Sequence, residues 1–225
     1  MNMLSRPPAP RPYAPPRSPV LTVVHADDDI LVLDKPSGLL TVPGKSEDLA
    51  DCLMARAQAR FPDARIVHRL DMDTSGIIVL ALTPHAHRHL GLQFERRHVF
   101  KHYEARVWGH MAADCGTIDL PLACDWPNRP RQHVDPLGGR RARTDWSVIG
   151  REPDSTRLRL DPLTGRSHQL RVHMLSLGHP ILGDPLYAQE EALRAAGRLQ
   201  LHAASLAIRH PTGGRRCRFT SPCPF

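Results

Sequence analysis

The sequence has few of the features that mark secreted, membrane-bound or zinc-stabilised proteins. Its five cysteines are scattered and odd in number, and no close pair has the spacing of zinc ligands. No apolar run approaches the length of a membrane span, and the N-terminus lacks the apolar core of a signal peptide. These absences favour a reduced, cytoplasmic protein without a membrane segment. A length of 225 residues allows one substantial domain or two small ones.

Lysine is also scarce, although the chain is basic. The formal net charge is +7 and the sequence pI is about 9.6, yet almost all of the basic residues are arginines. Arginine binds phosphate oxygens with paired N–H groups and stacks on bases better than lysine does. A GC-rich genome would also raise the share of arginine, but it would not explain the positive excess. The positive excess therefore favours a polyanionic partner.

The histidines do not predict a metal site. His85, His87 and His89 alternate, but they directly follow a Thr–Pro pair that predicts the start of a helix. Side chains at positions i and i+2 of a helix do not face each other, so these three histidines cannot converge on one ion. We expect no metal.

The pattern of apolar and turn-forming residues predicts a disordered, basic, Pro-rich arm over residues 1–19 and a single folded domain over residues 20–225. The predicted strands are 20–25, 30–34, 77–82, 103–108, 142–149, 157–160, 199–208 and 216–219, and the predicted helices are 49–61, 84–97 and 170–177. A long polar connection is predicted between 109 and 141. Strands mixed with separated helices, without regular βαβ alternation, indicate an α+β fold on a largely antiparallel sheet.

The most informative run is 68–76, His-Arg-Leu-Asp-Met-Asp-Thr-Ser-Gly, which stands directly before the apolar residues 77–82. If this stretch is extended, Arg69 and Asp71 share a face because they are two residues apart. A carboxylate beside a guanidinium group stays ionised at neutral pH and can act as a nucleophile or a base. On spacing alone, however, a surface ion pair is the simpler interpretation.

Several motifs in the same order overturn that simpler interpretation, because together they resemble the RluA-type pseudouridine synthases. They are residues 30–38, 68–76, 93–109 and 165–173, completed by 180–184 and 201–203; residue 34 is Asp where the family usually has Asn. The resemblance implies the pseudouridine synthase fold, with a mixed sheet, flanking helices and a central active-site cleft. The compact length and residues 120–130 resemble members that modify both a 23S rRNA hairpin and a tRNA anticodon stem-loop. No N-terminal S4 domain is expected.

The resemblance also implies a reaction. Uridine becomes pseudouridine when the N1–C1′ bond breaks and the uracil rejoins the sugar through C5. Nothing is oxidised and no group is gained, so no cofactor is expected. Asp71 is the implied catalytic carboxylate; attack on C1′, attack on C6 and removal of the C2′ proton all remain open. The target uridine must leave its stack, and Arg69 is expected to enter the vacated space.

Two further residues receive catalytic roles from the resemblance. Arg171 is expected to lie against Asp71 and keep the carboxylate charged. It lies off the apolar stripe of its predicted helix, so its side chain can point out of the core towards a site. Tyr103 is expected to stack on the target uracil and to help remove the C5 proton.

Other residues are predicted to contact the RNA. From the motifs these are His68, Arg166, His168 and Gln169; from charge and loop position they are Arg96, Arg97, Arg129, Arg131, Arg140, Arg141 and Arg143. Two alternatives stay open, namely the same chemistry at a single other rRNA or tRNA site and a non-catalytic RNA-binding protein. A metal-dependent nuclease would need clustered ligands that the sequence lacks. We expect a cytoplasmic monomer.

Overall fold

The computed structural model describes residues 12–225. Their contacts form two compact units: a discontinuous unit made of residues 12–102 and 202–225, and a continuous unit made of residues 103–201. The disorder predicted for residues 1–11 lies outside the described residues. Residues 12–19 have no helix or strand, and the Tyr13 hydroxyl donates to the Asp51 carbonyl oxygen (2.7 Å) and accepts from the Leu40 N–H (3.0 Å).

The described chain contains twelve strands and four α-helices. In chain order they are β1 (Thr22–Ala26), β2 (Ile30–Lys35), α1 (Leu53–Arg60), β3 (Arg65–Ile66), β4 (Ser75–Ala81), α2 (Pro84–Glu95), β5 (Phe100–Trp108), β6 (Cys115–Asp119), β7 (Leu122–Cys124), β8 (Gln132–Val134), β9 (Arg143–Glu152), β10 (Ser155–Pro162), α3 (Gln169–Ser176), α4 (Glu190–Arg194), β11 (Leu201–Arg209) and β12 (Arg216–Thr220). The predicted α+β class is confirmed. Strands β6 to β8 were not predicted, because they lie in the polar connection, and neither were the two-residue strand β3 and helix α4.

In the discontinuous unit, β4 is the central strand. It pairs antiparallel with β2, which pairs antiparallel with β1, and it pairs parallel with β11; β12 is antiparallel to β11. All seven residues of β4 are buried, as the unbroken apolar run predicts for a strand that is covered on both faces. Helix α2 packs Ala86 and Leu90 into the same core. The Thr83 side chain caps this helix by accepting a hydrogen bond from the Ala86 N–H (3.0 Å), as predicted.

In the continuous unit, β5, β10, β9 and β6 pair antiparallel in that order, and β7 and β8 form a separate pair. The core of this unit is formed by apolar residues of β5 and β10 together with Leu170 and Met174 of α3. Helix α3 is enclosed on nearly every side, because six of its eight residues are buried. No helix of residues 12–225 combines the length and the apolar character that crossing a bilayer requires.

Candidate active site

The loop that carries Asp71 is held by the loop that follows β2. Lys35 is fully buried, and its Nζ donates to the carbonyl oxygens of Pro36 (2.9 Å), Leu39 (2.7 Å) and Met72 (2.8 Å). A buried ammonium is stable only when hydrogen bonds replace its hydration, and these carbonyl oxygens do so. Lys35 therefore fixes the backbone one residue beyond Asp71.

The same two loops are joined on both sides of Asp71. The Thr41 hydroxyl donates to the Leu70 carbonyl oxygen (2.7 Å), and the Ser37 hydroxyl donates to the Asp73 carbonyl oxygen (2.7 Å). Asp71 itself is partly buried, and Arg69 is exposed. The backbone before and after Asp71 is thus held by side chains from an earlier part of the chain.

Gly76, at the start of β4, is required by the close approach of β11. Its φ angle is +111°, and a Cβ atom there would lie 2.3 Å from the Ala203 carbonyl oxygen. Next to it, the Ser75 hydroxyl and His202 Nδ1 form a buried hydrogen bond of 2.9 Å, while His202 Nε2 contacts the Ser221 carbonyl oxygen at 3.1 Å. Because that carbonyl can only accept, the neutral ring carries its proton on Nε2 and accepts from Ser75 at Nδ1.

The acid at position 34, where the family usually has Asn, also belongs to this region. The Ser221 hydroxyl donates to Asp34 Oδ2 (2.7 Å). Serine can donate to a carboxylate as readily as to an amide oxygen. The departure from the family pattern is therefore accommodated by a hydrogen bond.

His68 is hydrogen-bonded to the backbone of β4. Its Nε2 accepts a hydrogen bond from the Val79 N–H (3.1 Å), and its ring stacks on Phe94 with the centroids 4.4 Å apart. Burial, with a smaller contribution from the charge of Lys101, lowers the pKa of His68 to about 3. Burial also lowers the pKa of Lys101 to about 8. At neutral pH His68 is therefore uncharged, and its Nε2 is already bonded to the backbone.

In the continuous unit, Arg171 is paired with Asp184. Its Nε donates to Asp184 Oδ2 (2.7 Å) and its Nη2 to Oδ1 (2.6 Å), and the two side chains are 2% and 0% exposed. The Tyr187 ring lies 5.1 Å from the guanidinium carbon. Arg171 is not part of the apolar cluster that contains Leu170 and Met174, but it is buried, and Asp184 accepts two hydrogen bonds from its guanidinium.

The side chains of Gln169 and His168 also form hydrogen bonds within the protein. The Gln169 side-chain oxygen accepts from the Thr164 hydroxyl (2.7 Å) and from the Arg166 N–H (3.1 Å), and its NH₂ group donates to the Arg143 carbonyl oxygen (3.0 Å) and to Thr144 (3.0 Å). His168 has a φ angle of +52°. Gln169 is thus bonded through both polar atoms of its side chain.

Tyr187, which sequence reasoning missed, connects three parts of this unit. Its hydroxyl accepts from the Gln132 N–H (2.8 Å) and lies 2.7 Å from His168 Nδ1, while its ring contacts Arg171. Asp184 was missed as well. The only signal for Asp184 was its place in the run 180–184, where a single acid has no visible partner.

The remaining site residues lie in different surroundings. Tyr103, the first residue of the continuous unit, is partly buried against the core of that unit. Arg166 Nε donates to the Arg141 carbonyl oxygen (3.0 Å). Asp71, Arg69 and His68 belong to the discontinuous unit, whereas Tyr103, Arg166, His168, Gln169 and Arg171 belong to the continuous unit.

The arginines predicted to contact the RNA backbone differ in their exposure. The exposed ones are Arg96, Arg97, Arg129, Arg140 and Arg141. Arg129 lies over the ring of Trp126 at 4.7 Å, and Arg141 and Arg143 pair with Asp119 (3.2 Å) and Asp145 (3.5 Å). Arg131 is only 5% exposed, which does not suit a contact to a phosphate.

No group of three or more His, Cys, Asp or Glu side chains within the described part of the chain is placed to hold a metal ion. His87 Nε2, for example, bonds to the Ile66 carbonyl oxygen (3.0 Å).

Comparison with known proteins identifies the class to which this fold and these motifs belong. A family model described as RNA pseudouridylate synthase matches residues 29–176, and the chain belongs to this family. Among named relatives, it is similar to the dual-specificity RNA pseudouridine synthase RluA of Salmonella typhi, with 54% identity over 214 residues that cover 95% of this chain and 98% of that protein. RluA of Escherichia coli K12 is 53% identical over the same length and with the same coverage.

Solved structures agree. Human RNA pseudouridylate synthase domain containing 1 has a TM-score of 0.76 and 31% identity, covering 91% of this chain and 84% of that one. Human RNA pseudouridylate synthase domain containing 4, at 24% identity and a TM-score of 0.74 with 90% of this chain covered and 88% of that one, shows the fold alone. The predicted family and fold are confirmed.

Proposed function

We propose that this chain isomerises uridine to pseudouridine at defined positions of structured RNA, in a 23S rRNA hairpin and in a tRNA anticodon stem-loop. The observation that carries the proposal is Asp71, held on a doubly braced loop at the start of the buried strand β4, in a chain that belongs to the RNA pseudouridylate synthases. The name of the RluA relatives, dual-specificity enzymes, supports more than one RNA substrate.

Asp71 acts on the uridine in this proposal. The N1–C1′ bond breaks, a C5–C1′ bond forms, and the proton that leaves C5 is balanced by one gained at N1. The bonds to Leu70, Met72 and Asp73 hold the carboxylate before the substrate arrives, so little reorganisation is needed at the moment of reaction. Attack on C1′, attack on C6 and removal of the C2′ proton remain three forms of the same proposal.

Arg171 is proposed to keep Asp71 ionised, and Tyr103 to stack on the uracil. Asp184 and Tyr187 hold the Arg171 guanidinium in one orientation, which lowers the entropy cost of using it. Arg69 is exposed and is proposed to occupy the space that the flipped uridine leaves.

Arg166 is proposed to contact the RNA directly. For His68, His168 and Gln169 we propose a supporting role, because hydrogen bonds within the protein already use the ring nitrogen Nε2 of His68, the ring nitrogen Nδ1 of His168 and both polar atoms of the Gln169 amide.

The proposal also covers domain organisation, oligomeric state, location in the cell and the need for a metal or cofactor. The two units act as one catalytic domain, which is supported by a family match that runs through both. The enzyme works as a monomer, in the cytoplasm, and without a metal or cofactor, since the isomerisation needs neither an oxidant nor a group donor.

The test is tritium release from RNA that carries C5-labelled uridine. Wild type, Asp71→Asn and Asp154→Asn are compared on a tRNA anticodon stem-loop and a 23S rRNA hairpin, with EDTA present. Asp154 is an exposed carboxylate in the β9–β10 turn and serves as the matched control. We expect release from both RNAs with wild type and with the control, and a loss of roughly a thousandfold or more with Asp71→Asn.

The other outcomes discriminate among the alternatives. Release from one hairpin alone would reduce the claim to a single substrate. Binding without release by wild type would favour the RNA-binding alternative, and activity that EDTA abolishes would contradict the metal-free mechanism.

A further inference from the structure

Two segments of the discontinuous unit are rich in positive charge and contain no acidic residue. Residues 96–102 and 209–218 together contain seven Lys and Arg residues and no Asp or Glu. The whole chain has a formal net charge of +7. The two segments therefore carry as much net positive charge as the whole chain, without a carboxylate among them.

The structure brings an exposed arginine of the second segment onto an exposed aromatic ring of the first. Phe100, which is 66% exposed, lies under the guanidinium of Arg216, whose central carbon is 5.8 Å from the ring centroid. Arg216 and Arg218 are both exposed and alternate along β12, so they share one face of the strand. Arg96 and Arg97 precede Phe100 by four and three residues at the end of α2. We call the set Arg96, Arg97, Arg209, Arg216 and Arg218, with Phe100, the arginine face.

Two of these arginines oppose each other across a strand pair. In the antiparallel register of β11 and β12, Arg209 lies directly opposite Arg216. Side chains directly opposite are about 5 Å apart at Cβ, and like charges in such a pair are destabilising. A bound polyanion would relieve this repulsion. If the surface only kept the protein in solution, the repulsion would remain without any compensation.

The arginines of this face are also available to a ligand. The ion pairs of the described residues engage other arginines, among them Arg56, Arg106, Arg151, Arg159 and Arg171, and no carboxylate of residues 12–225 pairs with the arginine face. Stacking on Phe100 orients the guanidinium of Arg216 without using its N–H donors. Those donors can therefore bind the oxygen atoms of a phosphate in pairs.

The scaffold under the face is held in place before any ligand binds. Gln93 of α2 exchanges two hydrogen bonds of 2.8 Å with the backbone of Arg209. At the tip of the β11–β12 hairpin, the His210 N–H donates to the Arg215 carbonyl oxygen (2.8 Å), and the Thr212 hydroxyl donates to Asp29 (2.5 Å). Because α2, the hairpin and the turn at Asp29 are tied together, binding would order little additional backbone.

We infer that the arginine face is an RNA-backbone surface, which holds the phosphates of a base-paired part of the substrate while the uridine is modified elsewhere. The inference rests on the proposed function, since it takes RNA as the polyanion. It extends the predicted contacts at Arg96 and Arg97 to the hairpin arginines and to Phe100. Phosphate contacts carry affinity and register and no base identity, so this face would serve each RNA substrate in the same way.

The test compares two double variants that remove the same charge. Arg216→Gln/Arg218→Gln neutralises the arginine face, and Arg151→Gln/Arg159→Gln neutralises two exposed strand arginines that pair with carboxylates. The Kd for a fluorescent tRNA anticodon stem-loop is measured between 50 and 400 mM KCl. We expect the first variant to raise Kd about tenfold at 100 mM salt and to lower the slope of log Kd against log salt by roughly 1 to 2. The control is expected to stay within about twofold of wild type.

Two further measurements separate binding from folding and from other partners. Because the repulsion with Arg209 disappears, Arg216→Gln/Arg218→Gln is expected to unfold at the same temperature as wild type or a higher one, so a loss of RNA affinity would not reflect unfolding. Phe100→Ala is expected to weaken binding a few-fold with the salt slope retained, since it loosens Arg216 and removes no charge. Vesicles with 30% phosphatidylglycerol serve as the non-RNA polyanion.

The outcomes keep the two proposals apart. Equal Kd and slope for the two double variants, with an active wild type, would refute the arginine face and leave the proposed function intact. A loss confined to the vesicles would refute it in favour of a membrane surface. If the wild type forms no pseudouridine but the face variant alone loses RNA affinity, the surface stands and the proposed function fails.

Discussion

His68, which is partly buried and uncharged at neutral pH, predicts how stability depends on pH. Its pKa is about 3 in the folded protein and 6.5 in a model compound, which represents the unfolded chain. Between these values only the unfolded state binds the proton, so the free energy of unfolding rises with pH through this window and is flat for this group above about 6.5. Lowering the pH from 8 to 5 should therefore reduce the free energy of unfolding by about 2 kcal/mol through His68 alone.

The assay is urea unfolding at several pH values between 5 and 8, with His68→Gln beside wild type. Glutamine retains an acceptor for the Val79 N–H but does not titrate, so the variant should lose most of this pH dependence even if its stability at pH 8 is lower. His133→Gln, which changes an exposed histidine on β8, is the control and should follow wild type. Work above pH 5 also avoids Asp27: burial raises the pKa of this carboxyl, but hydrogen bonds led by that of His25 outweigh it and bring the pKa to about 2.

Either of two results would show that His68 does not have this effect on stability. If His68→Gln loses as much stability between pH 8 and pH 5 as wild type does, the histidine is either protonated in the folded state or solvated well enough to titrate normally. A histidine resonance that titrates near pH 6.5 and disappears in the variant would lead to the same conclusion.

Three other predictions follow from buried contacts. Lys35→Met should lower the free energy of unfolding by about 3 kcal/mol and reduce activity, because three carbonyl groups lose their buried hydrogen-bond donor. A urea midpoint equal to that of wild type would contradict this. Asp184→Asn should lower the free energy of unfolding by about 3–5 kcal/mol, because it removes the carboxylate that accepts two hydrogen bonds from the buried Arg171 guanidinium, and a urea midpoint equal to that of wild type would contradict this. Gly76→Ala should give no cooperatively folded protein, whereas Gly91→Ala in α2, which meets nothing within 4 Å, should stabilise by about 0.5–1 kcal/mol; circular dichroism melts would check both, and a folded Gly76→Ala would refute the close approach of β11.

The parts of the fold that could be predicted are those in which local pattern and tertiary burial agree. The apolar run 77–82 is long enough to mark β4, and Thr83 with Pro84 marks the start of α2 as observed. The three-residue strands β7 and β8 could not be predicted, because they lie in a polar, Pro-rich stretch and their backbones form hydrogen bonds mainly with each other. Helix α1 begins at Leu53, where the Cys52 side chain accepts from the Ala55 N–H, rather than at 49, because a 3₁₀ turn precedes it.

The candidate site shows the same division. Asp71 is visible in the sequence because a motif surrounds it, but the bracing of its loop depends on Lys35, which bonds across 37 residues. The pairing of Arg171 with Asp184 could not be predicted, because helical periodicity registers apolar residues and cannot register an ion pair with a partner 13 positions later. Polar contacts between distant positions leave no periodic trace, and they are the contacts that build this site.

Because the chain is synthesised from its N-terminus, the discontinuous unit is vulnerable to misfolding during synthesis. Ser75 of β4 and His202 of β11 lie 127 residues apart, with the whole continuous unit encoded between them. At a synthesis rate of about 5–20 residues per second, β4 waits roughly 6 to 25 seconds for its parallel neighbour to leave the ribosome. During that interval an apolar strand has part of one edge uncovered, which invites pairing with other chains. The yield of folded enzyme should therefore depend on how fast the ribosome moves through residues 103–201 and on chaperones that cover β4 meanwhile.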